Sequence, residues 1–249
     1  MTRHLSPTIL AAVLAAGVAD AALATGEQSI SSVMTSINID PGQHAGEITD
    51  VNGSIHIGAN AVVGHVHDVN GSVSADQGST AHSLGTVNGA VHVGSGAHVA
   101  EAVHTVNGSI TVESGADVAG SVSAVNGSMT VSNAHVGGEV ANVNGVIRIL
   151  SSHVGGNVTG VNGGIEIGGN SRVDGGLRVR RSDNDGWFSW WNFFFFSRSP
   201  PRVVIGPGAV VSGSLVFDQE VKLYVSDHAT VGPITGATPI QFSGSRPPD

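Results

Sequence analysis

Residues 106–122 read Val-Asn-Gly-Ser-Ile-Thr-Val-Glu-Ser-Gly-Ala-Asp-Val-Ala-Gly-Ser-Val. Ile110 and Val112 flank Thr111, Ala116 and Val118 flank Asp117, and Val122 closes the stretch. Alternation with period two is the mark of short strands with one face inward and one outward. Gly108, Gly115 and Gly120 break the pattern every few residues, too often for a helix. The stretch is one unit of a repeat. Its opening triplet begins at Val51, Val69, Val87, Val106, Val125, Val143 and Val161, at spacings of 18, 18, 19, 19, 18 and 18 residues. A degenerate copy precedes them, with Val33-Met34-Thr35 in place of the triplet and Ile37-Asn38-Ile39 in phase behind it.

One such unit cannot bury its own inward residues, but stacked units can, each coil laid beside the next in parallel ladders. Eighteen residues divide into three sides of about six. The fold class expected is therefore all-β: a single-stranded parallel β-solenoid of triangular section, about ten coils of 18–19 residues, with one extruded aromatic loop. At the usual strand spacing such a rod is about 45–50 Å long. The Asn-Gly pair favours positive φ and also suits hairpins, so an antiparallel meander is the structural alternative. In the solenoid reading each pair forms a corner, with glycine in the left-handed conformation. Asn52, Asn70, Asn88, Asn107, Asn126, Asn144 and Asn162 then align as a ladder of amides. Four of these corners also read as Asn-Gly-Ser glycosylation sequons, at Asn52, Asn70, Asn107 and Asn126, a by-product of the turn chemistry.

Composition agrees. Glycine supplies 36 of 249 residues, about twice the usual share, and only 12% of residues are charged. A hydrophobic content of 40% is too high for a wholly disordered chain. No cysteine occurs, which excludes disulfides, zinc–thiolate sites and thiol catalysis. A net charge of −9 argues against a nucleic-acid partner, which needs a basic field.

Residues 1–24 read as a secretory signal: a short basic start, an apolar stretch from Pro7 to Ala19, and small residues Ala22-Leu23-Ala24 before Thr25. The expected site of action is therefore outside the cytoplasm, in the periplasm, on the outer surface or in the medium. The expected organisation continues with a lead-in at 25–32, solenoid repeats at 33–179, an insert at 180–201, further coils at 202–241 and a proline-rich tail at 242–249. Pro233, Pro239, Pro247 and Pro248 lack the N–H that a further strand would pair with, so this end is expected to be blunted.

The stacked units, with phrases such as VNGSITVESGADVAGSV and VIGPGAVVSGSL, resemble bactofilins, the polymer-forming bacterial β-helix proteins. The VNG-repeat phrases also resemble secreted adhesin-like β-solenoids of the head-GIN type. The resemblance covers about 33–179 and 202–241. It implies a right-handed helix without catalytic residues, and a structural role. Bactofilins lack a signal peptide, and this chain departs from them there.

Between Leu177 and Arg202 the period breaks. Trp187, Phe188, Trp190, Trp191, Phe193, Phe194, Phe195 and Phe196 form an aromatic run, flanked by Arg178, Arg180, Arg181, Arg198 and Arg202. Aromatic rings with arginines beside them suit a membrane surface or a protein partner. Ten residues are too few to span a bilayer as a helix. The third reading has the loop fold back on the solenoid.

Twelve histidines are present, eleven of them beyond residue 24. One outward row reads His44, Val62, Thr80, His98, Asp117, His135, His153, Arg172. His135, His153 and Asp117 are the candidate metal ligands in it, though ladder side chains run parallel, and a solvated polar face is the reading preferred. No cofactor is expected. Hexapeptide acyltransferases and gamma-type carbonic anhydrases also use β-helices, but their aliphatic-glycine hexapeptide phase is absent. So are the nucleophile elbow, the P-loop and the His-Glu-x-x-His motif. The expectation is a non-enzymatic structural or adhesin-like protein of the bacterial envelope that presents the aromatic loop. The alternatives are a filament-forming scaffold that stacks end to end and, third, a metal-binding β-helix enzyme.

Overall fold

In the computed structural model, residues 28–181 and 200–248 are described. Among them every regular element is a strand, and every strand pairing is parallel. The chain winds as a β-solenoid in which each coil lays down three short strands. The unit at 106–125 contributes Ile110–Val112 to the first face, Asp117–Val118 to the second and Val122–Asn126 to the third. Among the described residues the first-face ladder has eleven rungs, from Ile37–Ile39 to Ile240–Phe242, one more coil than the repeat count suggests. The winding also begins earlier than the repeat does. Ile30–Ser31 pairs with Ile48–Thr49, so part of the stretch read as a lead-in is already third-face strand.

Register follows the repeat. Ile110 sits beside Val91 and Met129, Val118 beside Val99 and Val136, and Val122 beside Val103 and Val140. Like side chains therefore stack in columns down the axis, and Val, Ile, Leu and Ala fill the interior. Each buried aliphatic side chain contributes about 1.5–3 kcal/mol. No single coil could collect this stabilisation, because the inward residues are covered by the coils above and below.

Two of the three corners of each coil show what their residues are for. At the Asn-Gly corner the expected left-handed glycine is not found. Only Gly127 and Gly145 have positive φ there, at 152° and 147°, far from the left-handed helical value. The requirement is space instead: a methyl group on Gly108 would lie 1.8 Å from the Gly89 carbonyl oxygen of the coil before. The left-handed residues occupy the other corner, after the first face: Gly96 (67°), Gly115 (74°), Asn60 (58°) and Asn133 (49°), among others. Each precedes a small buried side chain such as Ala97, Ala116, Ala61 or Ala134.

The insert leaves the stack uninterrupted. Ile165 pairs with Val203 and Leu177 with Leu215 across it. It stands where other coils carry the Asn-Gly corner, between Val179 of the third face and Arg202 of the first. Arg246 and Pro247 line an opening on the first face together with Arg148, Glu166 and Val204, and Arg202 Nη2 donates to the Pro248 carbonyl at 3.2 Å. The end of the tail thus lies along the first face.

Candidate functional site

The amides of Asn52, Asn70, Asn88, Asn107, Asn126, Asn144 and Asn162 form one continuous chain. Each Nδ2 from Asn70 onward donates to the Oδ1 of the asparagine one coil earlier, at 2.8–3.0 Å. The parallel register sets this up, since Asn107 lies beside Asn88 and Asn126. An amide has one acceptor oxygen and donors to spare, so identical copies can satisfy one another indefinitely along a ladder. The chain ends at Asn162 because the insert occupies the next corner. Beside it runs a stripe of outward valines, with Val106, Val125 and Val143 each more than a third exposed. The alternation announces this stripe, because the residue before each valine points inward.

That inward position holds polar side chains, which periodicity alone does not reveal. In five of the seven repeats it is filled by Asp50, Asp68, Thr86, Thr105 or Asn142, all fully or almost fully buried, and in the other two by Ala124 and Gly160. Thr86 Oγ1 donates to Gly71 O at 2.9 Å, Thr105 Oγ1 to Gly89 O at 2.9 Å, and Asn142 Nδ2 to Gly127 O at 2.7 Å. Each thereby ties the third face to the corner glycine of the preceding coil. Asp68 Oδ1 accepts from Val69 N at 2.7 Å, while its Oδ2 is buried without a partner. Burial and the neighbouring Asp50 push the Asp68 carboxyl above the usual carboxylate range, against the pull of the Val69 and Asn70 amides.

On the second face the outward row forms in register, from His44 beside Val62 to His153 beside Arg172. Asp117 accepts from His135 Nδ1 at 2.5 Å and from His98 Nδ1 at 2.9 Å. These bonds, His135 first, hold the Asp117 carboxyl below its ordinary range. His153 turns to a different carboxylate, with Nε2 2.7 Å from Asp174 Oδ2, which Arg172 also shares. His135 and His153 are neighbours, with ring centroids 5.0 Å apart, yet their nitrogens bond to separate acids. His135, His153 and Asp117 are thus adjacent without converging on one point. Chemically the row is a solvated strip of separate imidazole–carboxylate pairs, with 44–46% of the His98, His135 and His153 side-chain areas exposed.

The aromatic run from Trp187 to Phe196, with Arg198, lies outside the described residues. Its described shoulders are arginine-rich. Arg178 pairs with Asp218 through Nη2 at 2.8 Å and Nε at 2.9 Å, and with Arg180 and Arg181 they line an open depression of about 350 Å³. Across the insert, the Arg202 guanidinium stacks 5.0 Å over the Tyr224 ring. A second opening of about 360 Å³ lies between the tail and the first face, lined by Arg148, Glu166, Arg202 and Pro247 among others. Comparison of the chain with protein-family models, curated proteins and solved structures returns no match.

Proposed function

We propose that the chain is an exported, non-enzymatic structural protein of the bacterial envelope, an adhesin-like rod that presents its aromatic insert to a partner or a membrane surface. The observation that carries the reading is the unbroken stack on either side of the insert. The ladder runs from Ile165 to Val203 as if residues 180–201 were absent, so the insert is an added element on a completed scaffold. Its two anchor points are cationic, and anionic headgroups or acidic protein surfaces are the complementary chemistry. A filled rod with amide and valine stripes along its length offers rigidity and repeated surface, which suits a scaffold better than a reaction. The secretory reading of residues 1–24 supplies the location.

The test is deletion of residues 184–197. Loss of vesicle flotation or of a partner, with the β-sheet spectrum retained, supports the proposal. Identical lipid binding, partner capture and solution mass in the two forms would leave the insert without a docking role.

A second reading, a filament-forming scaffold, draws on the ends of the first-face ladder. Among the described residues, Ile37–Ile39 and Ile240–Phe242 each have a neighbour on one side only, and Ile240 is 47% exposed. Open strand edges are templates for pairing with another copy. Negative-stain microscopy separates the two, filaments favouring this reading and discrete particles the first.

A further inference from the structure

A second histidine cluster lies apart from the Asp117 row, at the corner between the second and third faces. There the repeat changes length. From Val63 to Val66 and from Ala81 to Leu84 the corner spans three residues, whereas from Val99 to Val103 it spans four. In the shorter form the chain passes the corner as continuous strands, Val62–Asp68 and Thr80–Asn88. The longer form begins in the coil that carries Glu101, whose N–H donates to His82 O at 2.8 Å. Glu101 is thereby fixed next to two histidines from the two preceding coils, His65 and His82.

From this geometry we propose that His65, His82 and Glu101 form a binding site for a borderline divalent transition ion, Zn²⁺ or Cu²⁺. One nitrogen of each imidazole and one carboxylate oxygen lie within 4.8 Å of one another. The rings are 5.2 Å apart and tilted by 54°. His65 Nδ1 stands 3.8 Å from Glu101 Oε2, too far for a hydrogen bond, unlike the 2.5–2.9 Å contacts of Asp117. Bonds of about 2.0–2.1 Å in a tetrahedral arrangement place ligand atoms about 3.3 Å apart, so each donor has to move inward by no more than about 0.8 Å. All three side chains are exposed and free to make that adjustment. Ser83 Oγ lies 2.9 Å from His65 Nδ1, so coordination through Nδ1 displaces this hydroxyl, whereas coordination through Nε2 keeps it as the partner of the other ring nitrogen. Two imidazoles and a carboxylate suit Zn²⁺ and Cu²⁺ and leave a fourth position for water or an outside ligand. The ion would clasp three successive coils.

The test is calorimetric titration of the full chain, made without a polyhistidine tag, with ZnCl₂ and separately with CuCl₂, alongside melting curves. The expected result for at least one ion is a single saturable equivalent that raises Tm. His82→Ala and Glu101→Gln should each weaken that binding at least tenfold, and His153→Ala in the other row should leave it unchanged. Circular dichroism without metal checks each fold, and His82→Gln replaces the alanine variant if that one does not fold. No saturable equivalent with either ion overturns the site. So does retained affinity in His82→Ala or Glu101→Gln, or a matching loss in His153→Ala.

Discussion

The two corners that flank the first face both use glycine and differ in what they demand. At the Asn-Gly corner a methyl group on Gly71, Gly89, Gly108, Gly127, Gly145 or Gly163 would meet the carbonyl oxygen of the previous coil's glycine at 1.4–2.0 Å. At the other corner a methyl group on Gly115 would meet nothing nearer than 3.7 Å, and one on Gly96 nothing within 4 Å. The first corner excludes every side chain. At Gly96 and Gly115 the second asks only for a left-handed backbone, which asparagine also adopts without great cost, and at Gly78 and Gly208 the nearest atoms are side-chain oxygens of Asn60 and Asn170 and not backbone. The repeats record the difference: all seven triplets keep glycine, while the second corner uses Gly115 in one coil, Asn133 in the next and Ser151 in the one after.

Substitutions at equivalent depth should separate the two demands. Gly108→Ala forces two coils apart and should cost about 3 kcal/mol or more, the upper range for overpacking. Chemical denaturation read by circular dichroism checks this, and a loss below about 1 kcal/mol would mean that the corners flex. Asn107→Ala removes two hydrogen bonds, one donated to Asn88 and one accepted from Asn126. At about 1 kcal/mol for each bond, with water replacing part of the loss, the expected cost is about 1–2 kcal/mol. Gly115→Ala keeps its space but strains the left-handed conformation, for about 1 kcal/mol. Gly115→Asn should fall nearer to wild type, and an equal cost for both substitutions would show that conformation is not what selects glycine there.

Much of this architecture is legible in the residues themselves. A triplet recurring at 18–19 residues with period-two alternation leaves few folds but a solenoid, and the register of the outward row from His44 to Arg172 follows from counting. The stacking of glycine on glycine is not legible, because contact between residues 18–19 apart depends on how tightly the corner closes. Nor is the pairing of Asp174 with His153 and Arg172, which depends on side-chain reach across a rung. The convergence of His65, His82 and Glu101 is hidden for a third reason. His65 and His82 sit one position out of phase with each other, and only the single-residue lengthening of the corner at Glu101 brings the carboxylate to them. The signal was present as a change from 18 to 19 in the spacing, but a spacing does not say where in the coil the extra residue goes.

The inner wall of the Asn-Gly corner sharpens the comparison once more, at the smallest expected effect. Thr86, Thr105 and Asn142 donate to a corner glycine carbonyl, whereas Asp68 occupies the same place with an unpartnered Oδ2. That oxygen and the Gly53 carbonyl oxygen both lie within 2.6 Å of the point a methyl group on Gly71 would take. Burial, with Asp50 nearby, favours the protonated form of this carboxyl, and a protonated Asp68 is a donor in the place where Thr86 and Thr105 donate to a corner carbonyl. A folded-state pKa above the unfolded value means that the folded chain holds more protons between the two. This contribution to stability is then complete below about pH 4 and fades as pH rises through the folded pKa. Asp117 acts oppositely, because its lowered carboxyl contributes stability above about pH 4 that is lost on acidification. Asp68→Asn supplies a permanent donor, as Asn142 does, and removes the first of these slopes. Tm should rise slightly at pH 8, with the difference shrinking as pH falls and little change below about pH 4. A variant less stable than wild type at pH 8 would show that the ionised Asp68 is accommodated and that the wall does not need a donor in that coil.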